Sequence, residues 1–290
     1  LNYKNNRMKK ILVPVDFSDP SKNAASYAVE MAKQVKAEIT LLHVYDVPVA
    51  VADFPIILAN VEELEKINIQ LIQKLKNELE AKHGKDVEIK GIVKMGFIFD
   101  EIRATAQEQK VDFIVMGITV AGKLTELLIG SNASRVVNKL NYPALIVPEG
   151  ARYQGIKNIT FACDYNHIEA SKAVDNLVEL VKLFDAKLMV VNIGEHIHQH
   201  HSNELAGKLL EYIFENVSES LDIPSGIDYS VHKRKDTDII HGIDKFIHKH
   251  KSDLIVMIPR KHSLLSSLFH ESNTKKMAFH SNIPILALHE

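Results

Sequence analysis

The stretch VMGITVAGKLTELLIGS, residues 115–131, carries three glycines at spacings that suit phosphate binding. Gly117, Gly122 and Lys123 come within one residue of a P-loop, which holds phosphate with backbone N–H groups and Mg²⁺ with a hydroxyl. Leu124 stands where that hydroxyl is needed, and helix-like residues then lead to a second glycine turn. The stretch therefore predicts a phosphate cradle of another kind, or glycines that let a helix pack on a sheet.

An acid stands where it could share a site with these glycines. Asp16 follows the first predicted strand, and Gly117 follows the fourth. Ligands of open α/β sheets bind at the carboxyl ends of the strands, so the two residues face one crevice if those strands are neighbours. Gly130 and Ser131 come just before a predicted helix, whose N-terminus offers free N–H groups and favours negative charge.

Alternating histidines in EHIHQHH, residues 195–201, could converge on a metal ion. His196, His198 and His200 lie just past a predicted strand, and imidazole suits both Zn²⁺ and Ni²⁺. No cysteine or distant acid is tied to this segment. Two interpretations stay open, a zinc or nickel site and a solvated histidine loop.

Several features that would indicate other classes of function are absent from the sequence. No nucleophile, base and orienting group stand together in the sequence, and no paired carboxylates stand out, so we predict no catalytic residues. The net charge of −2 gives no general attraction for nucleic acid or anionic membranes. The one cysteine, Cys163, excludes an internal disulfide framework and suits a reducing cytosol. No apolar run is long enough to span a bilayer, and we expect Met8 to be the natural start.

Two copies of one pattern make up the chain. The run ending in Asp16 recurs as the run ending in Asp164. VDFIVMG at 111–117 recurs as SDLIVMI at 252–258, and NYPALIVPE recurs as NIPILALHE at the same offset (253 − 112 = 141). We therefore predict two domains, residues 8–149 and 156–290, joined by a polar, turn-rich linker.

In each copy, short apolar strands alternate with helices, which indicates a parallel sheet covered on both faces. The first copy predicts strands at 11–15, 39–44, 87–93, 113–116 and 144–147, and helices at about 18–35, 61–83, 99–109 and 131–140. The second copy predicts strands at 159–162, 187–193, 228–232, 254–258 and 285–288, and helices at 169–184, 204–221, 239–250 and 273–279. The fold class is therefore α/β with two tandem Rossmann-like domains.

These segments together resemble the universal stress protein family in a form with two fused domains. The resemblance extends from Met8 to Glu290 and rests on KKILVPVDFSDPSKNAASYAVEMAK, ITLLHVYDVP, VKMGFIFDEIRATAQEQKVDFIVMG, LLIGSNASRVV and YPALIVP. It implies two flavodoxin-like domains with five-stranded parallel sheets whose last strands pair across a two-fold axis. Here the two copies would pair with each other as an internal pseudo-dimer. Further dimerisation through domain faces or edge strands is an additional expectation.

The resemblance also implies a phosphate site in the first copy. Nucleotide-binding members carry glycine, two residues, glycine, nine residues, then glycine with serine or threonine. Gly117, Gly130 and Ser131 match this pattern and would hold the phosphates. Val120 stands in place of the middle glycine, and a β-branched side chain resists left-handed backbone angles and crowds a phosphate.

By the same resemblance, Asp16 would contact the ribose or adenine, and Val44 would offer its backbone to the adenine. The implied protein is a cytoplasmic stress-response module that binds ATP or a related adenine nucleotide with Mg²⁺, without efficient catalysis. Two alternatives stay open. One is a slow ATPase, and the other is an interaction scaffold that binds no nucleotide and acts through an unidentified protein partner.

The second copy has lost these glycines. Ile258 and Glu271 stand at the positions of Gly117 and Gly130. Glu271 would place a carboxylate where phosphate should sit, which is a like-charge conflict. We therefore predict that nucleotide binds the first domain only, while the basic run at 260–262 either holds another anion or forms a solvated loop.

Overall fold

A computed structural model of the 290-residue chain shows one long sheet with helices on both faces. The structure describes residues 10–46, 61–121, 126–127, 131–163, 172–194, 229–235, 239–258 and 282–289. The helices predicted at 204–221 and 273–279 lie outside the described residues, as do the three histidines of the possible metal site. None of the helices in the described ranges is long and apolar enough to span a membrane.

The leading half of the chain, from β1 to β7, alternates strands with helices. Its long elements are β1 Lys10–Pro14, α1 Asp19–Val35, β2 Glu38–Tyr45, α2 Val61–His83, β3 Ile89–Met95, α3 Ile98–Gln109, β4 Phe113–Ile118, α4 Ser131–Lys139 and β7 Ala144–Pro148. Two short strands, β5 Val120–Ala121 and β6 Glu126–Leu127, form a separate hairpin between β4 and α4.

The trailing half, from β8 to β12, repeats the order. Its described elements are β8 Asn158–Ala162, α5 Lys172–Phe184, β9 Lys187–Gly194, β10 Tyr229–Lys235, α6 Ile239–His250, β11 Leu254–Met257 and β12 Ile285–Ala287. The central strands of both halves are buried almost throughout, because helices cover both faces of the sheet.

The ten long strands form one sheet in the order β10-β9-β8-β11-β12-β7-β4-β1-β2-β3. Strands within each half are parallel, and β7 and β12 join the halves by antiparallel pairing. This confirms the predicted fold of two flavodoxin-like domains with five-stranded parallel sheets in an internal pseudo-dimer.

The joint between the halves is self-complementary. Leu145 of β7 lies opposite Leu286 of β12. The two leucines are equivalent residues of the repeat, because they are separated by its offset (286 − 145 = 141). A pseudo-two-fold axis therefore passes beside this pair, as at an isologous dimer interface.

One apolar core lies on each face of the sheet. The core on one face contains side chains of α1, α2 and α5, and the core on the other contains side chains of α3, α4 and α6. Alternate residues of β7 and β12 point into different cores, so both cores continue across the joint. The halves thus share a continuous interior.

Helix α1 begins and ends as its sequence indicates. Ser18 is the N-cap and its hydroxyl accepts a hydrogen bond from the Ser21 N–H, with Pro20 in the first turn. At the other end, Lys36 takes a left-handed conformation with φ 57° and donates its N–H to Ala32. The predicted bounds of α2 and α6 also match the structure.

Two predictions about local structure need correction. The third strand, predicted at 87–93, runs from Ile89 to Met95. The sequence of Leu124–Ile129 favours a helix. In the structure, however, Glu126–Leu127 pairs with Val120–Ala121 as an antiparallel hairpin. A segment of six residues is too short to form a stable helix from local interactions alone, and pairing of Glu126–Leu127 with the preceding strand satisfies backbone groups that would otherwise lack partners.

Candidate functional site

A cavity of about 240 Å³ opens at the carboxyl edge of the leading half, where β1, β2 and β4 end. It is lined by Pro14, Val15, Asp16, Ser18, Pro20, Ser21, Leu42, Val44, Ile98, Met116, Gly117, Ile118, Thr119, Asn132 and Ala133. Three of the residues predicted for a nucleotide site, Asp16, Val44 and Gly117, thus line one cavity, because β1 lies between β2 and β4 in the sheet.

The turn from β1 to α1 holds Asp16 at the mouth of the cavity. Its carboxylate accepts hydrogen bonds from the Ser18 N–H at 3.0 Å and from the Ser18 hydroxyl at 2.5 Å. Burial raises the pKa of Asp16, but the hydrogen bonds from Ser18 and Ser21 outweigh it and leave the pKa below its ordinary value. Asp16 is therefore a fixed, ionised acceptor at neutral pH.

Phe17, between Asp16 and Ser18, has a left-handed backbone with φ 64°. For a residue with a Cβ this conformation costs roughly 1–2 kcal/mol. Its ring packs against His43 with the ring centroids 4.4 Å apart, and the His43 Nδ1 lies 2.8 Å from the carbonyl oxygen of Val15. These contacts hold the turn in the conformation that presents Asp16. Sequence analysis missed Phe17, because glycine or asparagine is the usual signal for such a turn.

The backbone of Val44 faces the cavity side of β2. The carbonyl of Tyr45 is bonded on the β3 side, whereas the carbonyl of Leu42 accepts a bond from Val15 on the β1 side. Backbone groups alternate sides along a parallel strand, so the N–H and C=O of Val44 point to the β1 side. Because β1 has ended at that level, these groups face the cavity.

Gly117 has a clear structural reason to be glycine. A Cβ at this position would lie 2.2 Å from the carbonyl oxygen of Pro20 and 2.9 Å from the nitrogen of Ser21. The first turn of α1 therefore packs directly on the end of β4. This supports the interpretation in which the glycine lets a helix approach the sheet, and the same approach brings Ser18 and Ser21 to the cavity wall.

The far wall of the cavity is formed by Thr119 and by Asn132 and Ala133 of α4. The first turn of α4 contains no acidic residue, so its positive end is not neutralised from within. Ser131 is the first residue of α4 and Val120 begins β5, but the structure does not describe their side chains. Gly130 lies outside the described residues.

Asp16 is the one charged residue among the described residues that line the cavity. The other polar side chains of the described lining are the hydroxyls of Ser18, Ser21 and Thr119 and the amide of Asn132. The remaining wall is mostly apolar. A flat apolar group between the strand ends, carrying hydroxyls toward Asp16, matches this distribution of surfaces.

The equivalent place in the trailing half is built differently. Ile258, at the position of Gly117, is 7% exposed, so an apolar side chain stands where the leading half has bare backbone. The structure describes neither Asp164 nor Glu271. Within the described ranges, no group of three or more histidine, cysteine, aspartate or glutamate side chains could hold a metal ion.

Comparison with known proteins gives one consistent match. A model of the universal stress protein family matches residues 8–148 and, again, residues 155–289. Universal stress protein MJ0577 of Methanocaldococcus jannaschii is 36% identical over 153 residues, which cover 48% of this chain and 94% of that protein. Universal stress protein MJ0531 of the same organism is 32% identical over 148 residues, covering 49% and 83%.

A solved structure also matches the whole chain. A universal stress protein from Archaeoglobus fulgidus superposes with a TM-score of 0.73 and 18% identity, covering 97% of this chain and 98% of that one. At this identity the likeness shows the fold.

Proposed function

Because the chain belongs to the universal stress protein family, we propose that its leading half binds ATP or a related adenine nucleotide, as a stress-response module of the cytoplasm. One member of the family has been solved in complex with cAMP. That protein covers half of this chain at 19% identity, so the proposal rests on the cavity of this chain. The domains are those proposed from the sequence, residues 8–149 and 156–290.

One observation carries the proposal. The structure brings Asp16, Val44 and Gly117 to one cavity, although they are far apart in sequence. The backbone of Val44, which faces the cavity, supplies a donor and an acceptor for the edge of a base, and ionised Asp16 supplies an acceptor for ribose hydroxyls. The apolar wall between them supplies a surface for a planar ring.

The size and charge of the cavity suggest how the phosphates are held. A volume of about 240 Å³ is small beside ordinary ligand pockets of roughly 300–1,000 Å³. It therefore suits the nucleoside, with the phosphates directed toward Thr119 and the start of α4. No described lining residue is cationic, so Mg²⁺ enters with the nucleotide and offsets its charge.

The proposed module has no efficient catalysis. Fast phosphate transfer needs a base or a positioned water beside the terminal phosphate. Among the described lining residues, Asp16 is the one candidate base, and the proposal assigns it to the ribose hydroxyls rather than to the terminal phosphate. The slow ATPase therefore remains the weaker proposal.

Two experiments on the full chain test the proposal. Mass spectrometry of ligands released from purified, undialysed protein should detect an adenine nucleotide. Calorimetry with ATP and Mg²⁺ should then give saturable heat at nucleotide concentrations below the millimolar range. No released nucleotide and no heat at millimolar ATP would reject the proposal and leave the interaction scaffold.

A further inference from the structure

A hydrogen-bonded chain of side chains joins α1 to α2 outside the cavity. The Ser26 Oγ lies 2.8 Å from the His83 Nε2, and the His83 Nδ1 lies 2.5 Å from a carboxylate oxygen of Glu30. Ser26 and Glu30 are four residues apart on one face of α1, and His83 ends α2. A nucleophile, a base and an orienting acid therefore meet in the order that serine hydrolases use.

The partners fix the roles of the two imidazole nitrogens. The partner of Nδ1 is a carboxylate, so in the neutral ring the proton must sit on Nδ1. The Nε2 is then free to accept the hydroxyl proton of Ser26. The His83 side chain is only 8% exposed, so the ring is shielded from water while Ser26 remains half-buried at the surface.

Two lysines place positive charge beside Glu30 and Ser26. Lys33 donates to Glu30 at 2.8 Å, and this bond, followed by the bond from His83, keeps the pKa of Glu30 below its ordinary value. Glu30 therefore stays ionised and holds the histidine. Lys82 donates to the Ser26 Oγ at 3.1 Å, which favours negative charge on that oxygen.

The trailing half shows that this arrangement is particular to α1. Glu179 and Asp175 of α5 occupy the positions of Glu30 and Ser26, because both pairs precede an equivalent helix end at the same offset (179 − 30 = 149). The serine is thus replaced by an acid. Within the described part of the chain, one carboxylate oxygen of Glu179 has no hydrogen-bond partner.

We propose that Ser26, His83 and Glu30 form a nucleophilic site that accepts acyl groups from small activated esters. The Ser26 oxygen attacks the carbonyl carbon while its proton passes to the His83 Nε2, and Lys82 lies beside the developing oxyanion. The bond to the leaving group then breaks, and the leaving group takes the proton from His83. Water then attacks the acyl carbon while its proton passes to the His83 Nε2. The bond between the acyl carbon and the Ser26 Oγ breaks, that oxygen takes the proton back from His83, and the carboxylic acid is released.

The site is independent of the nucleotide cavity. The cavity is lined by Ser18 and Ser21 in the first turn of α1, whereas Ser26 and Glu30 lie further along the helix. The chain should therefore react in the absence of nucleotide.

The test is covalent labelling of the full chain with a fluorophosphonate, whose fluoride is displaced by an activated serine. Peptide mapping should place the adduct on Ser26, and Ser26→Ala should remove it. His83→Gln should slow labelling by roughly 100-fold or more, and Glu30→Gln by roughly tenfold, since a positioned base contributes about 10²–10⁴ in rate. His248→Gln is the matched control, because His248 lies 3.5 Å from the carboxylate of Asp244 on α6. It should label like the wild type.

Thermal unfolding of each variant separates reactivity from folding. If His83→Gln unfolds, Glu30→Gln decides the question, because its amide oxygen keeps the bond to His83 and only the charge is lost. No adduct on Ser26, or equal labelling of the wild type and a folded His83→Gln or Glu30→Gln variant, would overturn the proposal. The hydrogen bonds among Ser26, His83 and Glu30 would then serve only to hold α1 and α2 together.

Discussion

The two halves share a scaffold but differ where chemistry is expected. Val15 donates to Leu42 in the leading half, and Cys163 donates to Val191 at the same place in the trailing half. Asp112 and Asp253 likewise each accept from a backbone N–H at the start of the first strand of their half. The backbone framework is thus duplicated down to single hydrogen bonds.

Single side chains account for the differences between the halves. Bare backbone at Gly117 lets α1 reach the end of β4, whereas Ile258 places a buried side chain there. Equivalent glutamates show opposite shifts. The pKa of Glu30 is lowered by hydrogen bonds from Lys33 and His83, while burial and then Asp175 raise the pKa of Glu179 to about 7. A duplicated fold therefore does not imply a duplicated site.

Substitutions at the joint between the halves should cause the largest losses in the free energy of unfolding. Leu145 is 1% exposed and Leu286 is 0% exposed, and they face each other across the pseudo-two-fold axis. Leu145→Ala and Leu286→Ala should each lower the free energy of unfolding by about 3 kcal/mol, measured by urea denaturation. Leu71→Ala on α2, where the side chain is 40% exposed, should cost well under about 1 kcal/mol. Clearly unequal costs at the two paired leucines would break the symmetry described here.

Replacement of Gly117 by alanine should disrupt the proposed nucleotide site of the leading half. Gly117→Ala forces the backbone at Pro20 to move, which we expect to cost about 2–3 kcal/mol and to weaken nucleotide binding. Gly155→Ala is the control, since a Cβ there meets no atom within 4 Å and only the φ of +91° is unfavourable. It should cost about 1 kcal/mol. Equal stability of Gly117→Ala and the wild type would contradict the packing described for α1.

The two equivalent glutamates should give opposite dependences on pH. Because the pKa of Glu179 is raised in the folded protein, its contribution to the free energy of unfolding is fully present below pH 4.5. That contribution is lost as the pH rises toward about 7. Glu179→Gln should therefore stabilise the chain at pH 8, by about 1 kcal/mol after allowance for solvent screening, and change little at pH 4. Urea denaturation at both pH values measures this.

The lowered pKa of Glu30 has the opposite sign. Its contribution is present above pH 4.5 and is lost as the pH falls below that value. Glu30→Gln should therefore destabilise the chain at pH 8, by less than about 1 kcal/mol because the side chain is partly exposed. A change of the same sign for Glu30→Gln and Glu179→Gln at pH 8 would remove this contrast between the halves.

An effect as small as that expected at Glu179 is predicted at the N-cap of α1. Ser18→Ala removes the cap and the bonds from the Ser18 hydroxyl to Asp16, so the free energy of unfolding should fall by about 1 kcal/mol. The pKa of Asp16 should rise toward its ordinary value, and its stabilising contribution at neutral pH should shrink with it. Denaturation at pH 7, with NMR titration of Asp16, measures both changes.

The sequence predicted the scaffold well, because strand and helix patterns are local. The bounds of α2 and α6 follow from apolar periodicity, and the start of α1 follows from Ser18 and Pro20. The pairing of the last strands was predicted through the family resemblance, and β7 and β12 do pair in the structure. Asp16 and Gly117 were expected to share a crevice because each follows a predicted strand, and Val44 was added through the family resemblance. Their positions at strand ends explain why the three residues meet.

Contacts that depend only on tertiary packing were not predicted from the sequence. Ser26 and His83 are 57 residues apart, and nothing local connects the middle of α1 to the end of α2. The left-handed Phe17 carries no glycine or asparagine signal. The hairpin of β5 and β6 depends on pairing between neighbouring segments, which outweighs the apolar, helix-like composition of the residues around Leu127.

The most direct test of the account is the number of nucleotides bound per chain. Calorimetry with ATP and Mg²⁺ should give one site per chain. Asp16→Asn should weaken binding by roughly tenfold or more, as expected when a hydrogen bond to a charged acceptor is lost. The matched variant Asp164→Asn should bind like the wild type. Two sites per chain, or loss of binding in Asp164→Asn but not in Asp16→Asn, would contradict the assignment of the site to the leading half.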